Sequence, residues 1–296
     1  LTTGLNGTPG GRHANVIYPI HRNNRGPTLV VFVPGLAGNA RQWDLVLPQL
    51  GDLPADLAYG APLLPHPAFR GTRPTASALA LAYADDLSRE DRRDVVIVAH
   101  SVGTFVALGV ARHIPEIVKE VIAVNGGLAT AARFLDQPAR EFTKRPRGCL
   151  NALRLFALVG IPVPPVVKRA TANSKSLSRA VLGGLVSDAA LNSVERRRII
   201  VEEGGKPQAM QTLWCNRHHW RKFRSYAGQI QSRCVFLVGE QDPIAGVKDT
   251  KDMAGLLNAE LTELRRLPGV GHAAPVENAE EVTAAIRKSV AALSLG

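Results

Sequence analysis

Asp94-Val95-Val96-Ile97-Val98-Ala99-His100-Ser101-Val102-Gly103 is the stretch that decides the fold. Residues 94–99 are apolar and β-branched after the first position, the composition of a strand buried on both faces. Residues 103–111 then read as a helix. Ser101 stands on the corner between them. A chain that turns straight from strand to helix bends sharply and crowds the positions two before and two after the corner. Ala99 and Gly103 put small residues there. The serine hydroxyl is then pushed out at the top of the sheet, beside a helix N-terminus. That is the nucleophile-elbow arrangement, ordinarily written Gly-x-Ser-x-Gly. A helix N-cap is the plainer use of a serine at this place, so the elbow needs support from the rest of the chain.

Outward from the elbow, strand and helix patterns alternate. Strands are expected at residues 13–20, 28–33, 57–60 and 118–124, with helices at 42–50 and 76–89 and a Pro-rich loop to about Pro74. The alternation stops after Gly126-Gly127. Residues 128–222 read as helices at 149–160, 176–185, 187–203 and from Pro207 toward Tyr226, with no strand run. It resumes with strands at 234–238 and 261–267 and helices at 244–258 and 279–292. This pattern predicts an α/β fold with a mostly parallel central sheet covered by helices on both faces. The expected organisation is a core at 1–127 and 223–296, with a helical cap inserted at 128–222.

The 296 residues are 45% hydrophobic, enough for one large domain with a substantial core. No apolar run approaches the roughly 20 residues of a membrane helix. The Gly/Thr-rich stretch from Leu1 to Gly11 lacks the apolar core of a secretion signal, which leaves secretion unsupported but still open, and the expected location is cytoplasmic. Cys149, Cys215 and Cys234 are widely spaced and form no CxxC pair, so neither a disulfide framework nor a metal site is expected. The net charge of +11 has an uneven origin. Residues 128–222 hold 17 Lys and Arg against 6 Asp and Glu, while the remainder holds 19 of each sign. A solvated basic face accounts for this with no function attached. Attraction to an anionic substrate, an anionic membrane surface or an acidic carrier protein is the alternative. Nucleic acid is disfavoured, because no nucleic-acid motif accompanies the charge.

A serine hydroxyl is a poor nucleophile unless a base takes its proton and an acid orients that base. Asp242 follows the strand at 234–238, and His272 follows the strand at 261–267. Both fall past C-terminal strand ends, the edge where Ser101 sits and where open parallel sheets bind ligands. The order serine, acid, histidine is the one this architecture uses. In this reading His272 takes the Ser101 proton and Asp242 holds the imidazole tautomer. Asp242 is also a plain turn residue before Pro243, and Glu240 is the alternative acid. After the strand at 28–33 comes Pro34-Gly35-Leu36-Ala37-Gly38-Asn39, a turn that frees backbone donors. The N–H groups of Leu36 and Val102 are the expected oxyanion hole.

With these residues the chain resembles the α/β-hydrolase superfamily from about residue 13 onward. The resemblance rests on Pro34-Gly35-Leu36 with Trp43 downstream, the Ser101 elbow, Gly239-Glu240-Gln241-Asp242-Pro243, and Gly271-His272 followed by Glu277. It is nearest to hydrolases with a helical cap after the sixth strand: esterases, lactonases, carbon–carbon bond hydrolases and cofactor-free haloperoxidase-like enzymes. Two positions depart from the usual pattern. Ala99 replaces the first elbow glycine, and Pro34 stands where many relatives have histidine. The elbow serine argues against the dehalogenase and epoxide-hydrolase branches, which use aspartate there.

The resemblance implies a cofactor-independent serine hydrolase acting through an acyl-enzyme on an ester, lactone or related carbonyl. The apolar cap suggests a small-molecule substrate with a hydrophobic body. A thioesterase acting on a carrier-bound or coenzyme A acyl group, a carbon–carbon bond hydrolase, and a non-hydrolytic or ligand-binding use of the fold are the alternatives. Gly35, Trp43, Phe134 and Leu158 are the candidate substrate contacts, with Leu150, Leu153 and Phe156 as further cap residues that could face the site. His100 is expected to be a packed neighbour pointing away from Ser101. His218 and His219 are adjacent on a helix and point different ways, which disfavours a shared metal.

Overall fold

The structure is a computed structural model describing residues 16–21, 28–36, 38–64, 74–89 and 94–294. Among the described residues seven strands form one sheet: β1 (Ile17–His21), β2 (Thr28–Val33), β3 (Asp56–Gly60), β4 (Asp94–His100), β5 (Val118–Val124), β6 (Arg233–Gly239) and β7 (Thr262–Leu267). Their spatial order is β1-β3-β2-β4-β5-β6-β7. Only β1 runs antiparallel to its neighbour; the other pairs are parallel. Short apolar runs become central strands because both faces are covered. Successive side chains point to opposite faces. Leu29, Val31, Val33, Ile97 and Ala99 enter one core, whereas Val30, Phe32, Val96 and Val98 enter the other.

Helices α1 (Ala76–Ser88) and α2 (Gly103–His113) cover the first face. Between β5 and β6 come nine helices and no named strand among the described residues: α3 (Ala129–Asp136), α4 (Pro138–Lys144), α5 (Pro146–Gly160), α6 (Pro165–Asn173), α7 (Lys175–Leu182), α8 (Asp188–Asn192), α9 (Val194–Glu203), α10 (Gln208–Cys215) and α11 (His219–Tyr226). After β6 follow α12 (Val247–Ala254), α13 (Ala274–Glu277) and α14 (Ala279–Ser294). Helix α14 covers the second face through Val282, Ile286 and Val290.

Several boundaries differ from the sequence expectation. The helix expected at 42–50 is two 3₁₀ turns, Ala40–Trp43 and Leu47–Leu50, the second opening on Pro48. The run expected at 187–203 breaks at Ser193, which leaves α8 and caps α9 by accepting the Arg196 N–H. The run from Pro207 breaks between α10 and α11. Helices α3, α4, α6 and α13 are additional to those expected. The helical stretch follows β5, the fifth of the described strands. Much of the Pro-rich loop before Pro74, and the start of the first expected strand, lie outside the described residues. No helix among the described residues is long and apolar enough to cross a membrane.

The helical stretch is tied to the core by charge pairs. Arg133 on α3 and Arg145 before α5 both reach Asp252 on α12, each at 3.1 Å. Arg145 also pairs with Asp249 at 3.0 Å. These groups are partly buried, which strengthens pairing relative to fully exposed ions.

Candidate active site

The parallel strands bring four turns to one edge of the sheet: after β2, β4, β6 and β7. Ser101 leaves β4 with φ of 51°, one of two non-glycine residues with positive φ among those described. That is a costly backbone for serine, held in place by its surroundings. Its N–H donates to Val124 O at 3.0 Å and its carbonyl accepts from Thr104 N at 3.0 Å, locking both sides of the corner. A Cβ at Gly103 would lie 2.5 Å from Pro34 O. Only glycine lets α2 start so close to the turn after β2.

Ser101 Oγ lies 3.1 Å from His272 Nε2. On the far side of the ring, His272 Nδ1 lies 2.9 Å from Asp242 Oδ2. A carboxylate only accepts, so Nδ1 carries the proton and Nε2 is free to accept from Ser101. Asp242 is buried. Its Oδ1 accepts from the N–H groups of Ile244 and Ala245 at 2.8 and 3.0 Å. Burial alone pushes this carboxyl's pKa up. The charge of His272 and hydrogen bonds from His272, Ala245 and Ile244 outweigh that and hold it below its ordinary value. Glu240, the alternative acid, is exposed and faces Arg266 at 3.9 Å.

Three supporting residues take roles that the sequence alone does not assign, although Glu277 is part of the resemblance. Asn125, the other positive-φ residue, donates Nδ2–H to Asp242 Oδ2 at 2.6 Å and to Gly271 O at 3.1 Å. Glu277 accepts from the N–H groups of Gly271, Ala273 and Ser187 at 2.9, 2.9 and 2.8 Å. It thereby clamps the loop that carries His272. Gln42 meets His100, whose role follows from chemistry. His100 Nε2 lies 2.9 Å from the His272 carbonyl oxygen and must donate to it. Its Nδ1 lies 3.1 Å from Gln42 Oε1; a ring that donates from Nε2 and is neutral can only accept at Nδ1, so the Gln42 amide must be turned to present Nε2–H there. His100 thus braces the His272 backbone and does not hydrogen-bond Ser101. Gly271 meets a tight approach, since a Cβ there would lie 2.7 Å from Leu185 O. The His272 N–H donates to that same oxygen at 2.8 Å.

Leu36 and Val102 both line the cavity above Ser101. Among the described residues, neither backbone N–H has a protein acceptor. The cavity encloses about 290 Å³. Gly35, His100, Ser101 and His272 contribute to its floor, while its walls come mainly from the helices between β5 and β6. Leu155, Phe156, Leu158, Leu182 and Leu213 are among them. Gly35 and Leu158 thus face it as expected candidates. Trp43 and Phe134 do not. Trp43 is fully buried in the second core, 5.2 Å from Phe32. The 3₁₀ turn carries it below the sheet edge, away from the substrate side. Phe134 packs with Ala131, Ala152 and Leu213 in a helix–helix contact, and Leu135 takes the cavity position instead. The helical phase of α3 makes that one-residue difference decisive. Leu150 and Leu153 point outward and are exposed.

His219 lies in the cavity wall, its ring edge-on to Phe105 at 4.9 Å. It is 7% exposed. Its Nε2 has no hydrogen-bond partner among the described residues. Burial, with a smaller contribution from Lys222, lowers its pKa to about 4. His100 is likewise lowered to about 4, by burial and then the charge of His272. Both fold in the neutral form. Below the unfolded value near 6.5 the unfolded chain binds more protons, so stability falls as pH drops toward 4. Each histidine is expected to cost about 2 kcal/mol at pH 5 relative to pH 7. Urea midpoints at the two pH values check this. His219→Phe should show a smaller drop, and a drop equal to that of the unmodified protein would contradict the assignment.

Residues 30–285 match the alpha/beta hydrolase family, and the chain belongs to that family. Solved structures with the same fold include a thermophilic esterase from Thermogutta terrifontis. It is 16% identical, with 88% of each chain covered and a TM-score of 0.58. The enol-lactonase from Burkholderia xenovorans LB400 is 13% identical, covering 93% of this chain and 95% of its own, with a TM-score of 0.61. A putative non-heme bromoperoxidase, BpoC from Mycobacterium tuberculosis, is 18% identical, covering 96% and 99%, with a TM-score of 0.66. Identities this low establish the shared fold alone. Among curated proteins the sequence has no match.

Proposed function

We propose that this protein is a serine hydrolase that cleaves an ester or lactone of a hydrophobic small molecule. The observation that carries the reading is the hydrogen-bonded line Ser101–His272–Asp242 at the floor of an apolar cavity. Ser101 Oγ attacks the carbonyl carbon as His272 Nε2 takes its proton. The oxyanion is held by the N–H groups of Leu36 and Val102. His272 returns the proton to the leaving oxygen, and an acyl-enzyme remains. Water, deprotonated by His272, then releases the acid and restores Ser101. Segment 128–222 serves as the cap, and its side chains select the substrate.

The same cavity narrows the substrate class. Its walls are almost wholly apolar, so the acyl or alcohol part is hydrocarbon-rich. The polar exceptions above the floor are Lys168, Thr171, Asn216 and His219.

A fluorophosphonate probe tests the hydrolase reading directly. The expected result is one phosphonylated peptide containing Ser101. A panel of p-nitrophenyl esters, lactones and acyl thioesters then separates the bond types. No labelling, together with no turnover of any member, would refute the proposal.

A further inference from the structure

The cavity opens where the protein surface is unusually apolar. Val167 on α6 and Val181 on α7 both line the cavity and both reach solvent, at 46% and 37% exposure. These two residues mark its mouth. Ile161, just past the end of α5, and Val166, in the first turn of α6 next to Val167, are 59% and 73% exposed. Leu177 lies one helical turn before Val181 and is exposed too. The apolar surface continues onto α10. Met210 packs against Gly160, next to Ile161, and exposed Trp214 follows one turn later. Of 13 large hydrophobic side chains exposed among the described residues, 11 lie between β5 and β6. A scatter of single exposed hydrophobics is ordinary, but a collar around a cavity mouth is not.

Helices α6 and α7 also carry charge: Lys168, Arg169, Lys175 and Arg179 with no Asp or Glu, Arg179 being paired with Asp188 of α8 at 3.0 Å. Lys168 lines the cavity, with Nζ donating to Gly204 O at 2.5 Å. Arg169 and Lys175 are exposed, and neither has an ion-pair partner among the described residues. A solvated basic face explains these charges but leaves the apolar collar unexplained. A second copy of the chain would cover the collar but would bring like charges together. An acidic protein would satisfy the charges, yet it would meet hydrocarbon around the entrance. An anionic lipid surface supplies both chemistries at the correct depths. Its phosphates sit at headgroup level, and its acyl chains begin about 5–10 Å below the outer boundary.

We propose that α6, α7 and the adjoining turn seat the cavity mouth on an anionic lipid surface. The apolar side chains enter the headgroup–acyl boundary, while Lys168, Arg169 and Lys175 meet lipid phosphates. Resting on the hydrolase reading above, a hydrophobic ester then passes from the lipid to Ser101 without crossing water.

Co-sedimentation with vesicles tests the docking without relying on turnover. The protein should pellet with phosphatidylcholine–phosphatidylglycerol vesicles and remain in solution with phosphatidylcholine alone. Partitioning should weaken about tenfold or more in Ile161→Ser/Val166→Ser and in Arg169→Glu/Lys175→Glu. None of these four side chains lines the cavity, so hydrolysis of a short soluble ester should be unchanged. Ser101→Ala should bind vesicles like the unmodified protein. No pelleting with anionic vesicles would overturn the proposal. So would pelleting unaffected by Ile161→Ser/Val166→Ser, which would mark a purely electrostatic partner such as an acidic carrier protein. Absent fluorophosphonate labelling with intact vesicle binding would instead refute the hydrolase reading and leave the docking surface standing.

Discussion

Ser101→Ala is expected to lower kcat by on the order of 10⁶-fold and to abolish fluorophosphonate labelling. The Ser101 hydroxyl lies 3.1 Å from His272 Nε2, and removing it takes away the nucleophile that this base would activate. Hydrolysis through the oxyanion donors and the cavity alone would persist at a low level, about 10³- to 10⁴-fold above water. The fold should survive the change. Alanine and serine face the same penalty at a φ of 51°, and the backbone bonds to Val124 and Thr104 remain. The measurement is therefore paired: steady-state kinetics beside a thermal melt. A melting temperature close to the original with undiminished turnover would move the chemistry away from Ser101. A loss of activity with loss of folding would be resolved by Ser101→Thr. That change keeps a hydroxyl but adds a methyl group at a crowded corner, and it should label weakly.

The parts of this site that are legible in sequence are those fixed by backbone geometry. A buried strand followed at once by a helix places Ser101 on a corner, whatever its side chain contacts. Parallel strands then force Asp242 and His272 to the same edge, because each follows a strand end. The residues that tune them are not legible in this way. Asn125 reaches Asp242 from just past the end of the neighbouring strand β5, 117 positions away in sequence. Its one local signal, a polar residue ending an apolar strand just before Gly126-Gly127, is shared with many ordinary turns. Glu277 is closer to His272, but its role depends on three N–H groups turning inward together.

The helical stretch is less legible for a physical reason. In the core, strand periodicity and sheet register act together, and the expected strand at 118–124 is found at Val118–Val124. Between β5 and β6 there is no sheet to impose register. Helix ends depend on single capping residues such as Ser193 and Ser187, each of which accepts a backbone N–H. Small phase errors then decide which side chains meet the cavity. Phe134 and Leu135 differ by one position, and only the second lines it. Trp43 shows the other kind of failure. An aromatic residue near a glycine-rich turn looks like a substrate contact, yet a 3₁₀ turn sends it into the core beside Phe32.

Asp242→Asn is expected to lower kcat by on the order of 10⁴-fold. The substitution keeps the volume of the side chain and removes one property, acceptance from His272 Nδ1–H by a charged oxygen. Asparagine in the same place also presents an amide N–H toward the ring if its oxygen stays on the Ile244 and Ala245 donors. Nδ1 must then accept, the proton moves to Nε2, and Nε2 can no longer take one from Ser101. The wrong tautomer is held at the right distance. Asn125 aggravates the effect, because its Nδ2–H already points at the same oxygen at 2.6 Å and would meet a second amide donor. Glu240 cannot substitute, since it is exposed and lies toward Arg266. Fluorophosphonate labelling should slow in parallel with kcat, while KM for a short ester should change little. If Asp242→Asn retained near-original kcat and Glu240→Gln lost it, the orienting acid would have been assigned to the wrong carboxylate. The buried hydrogen bonds at Asp242 argue for the opposite result.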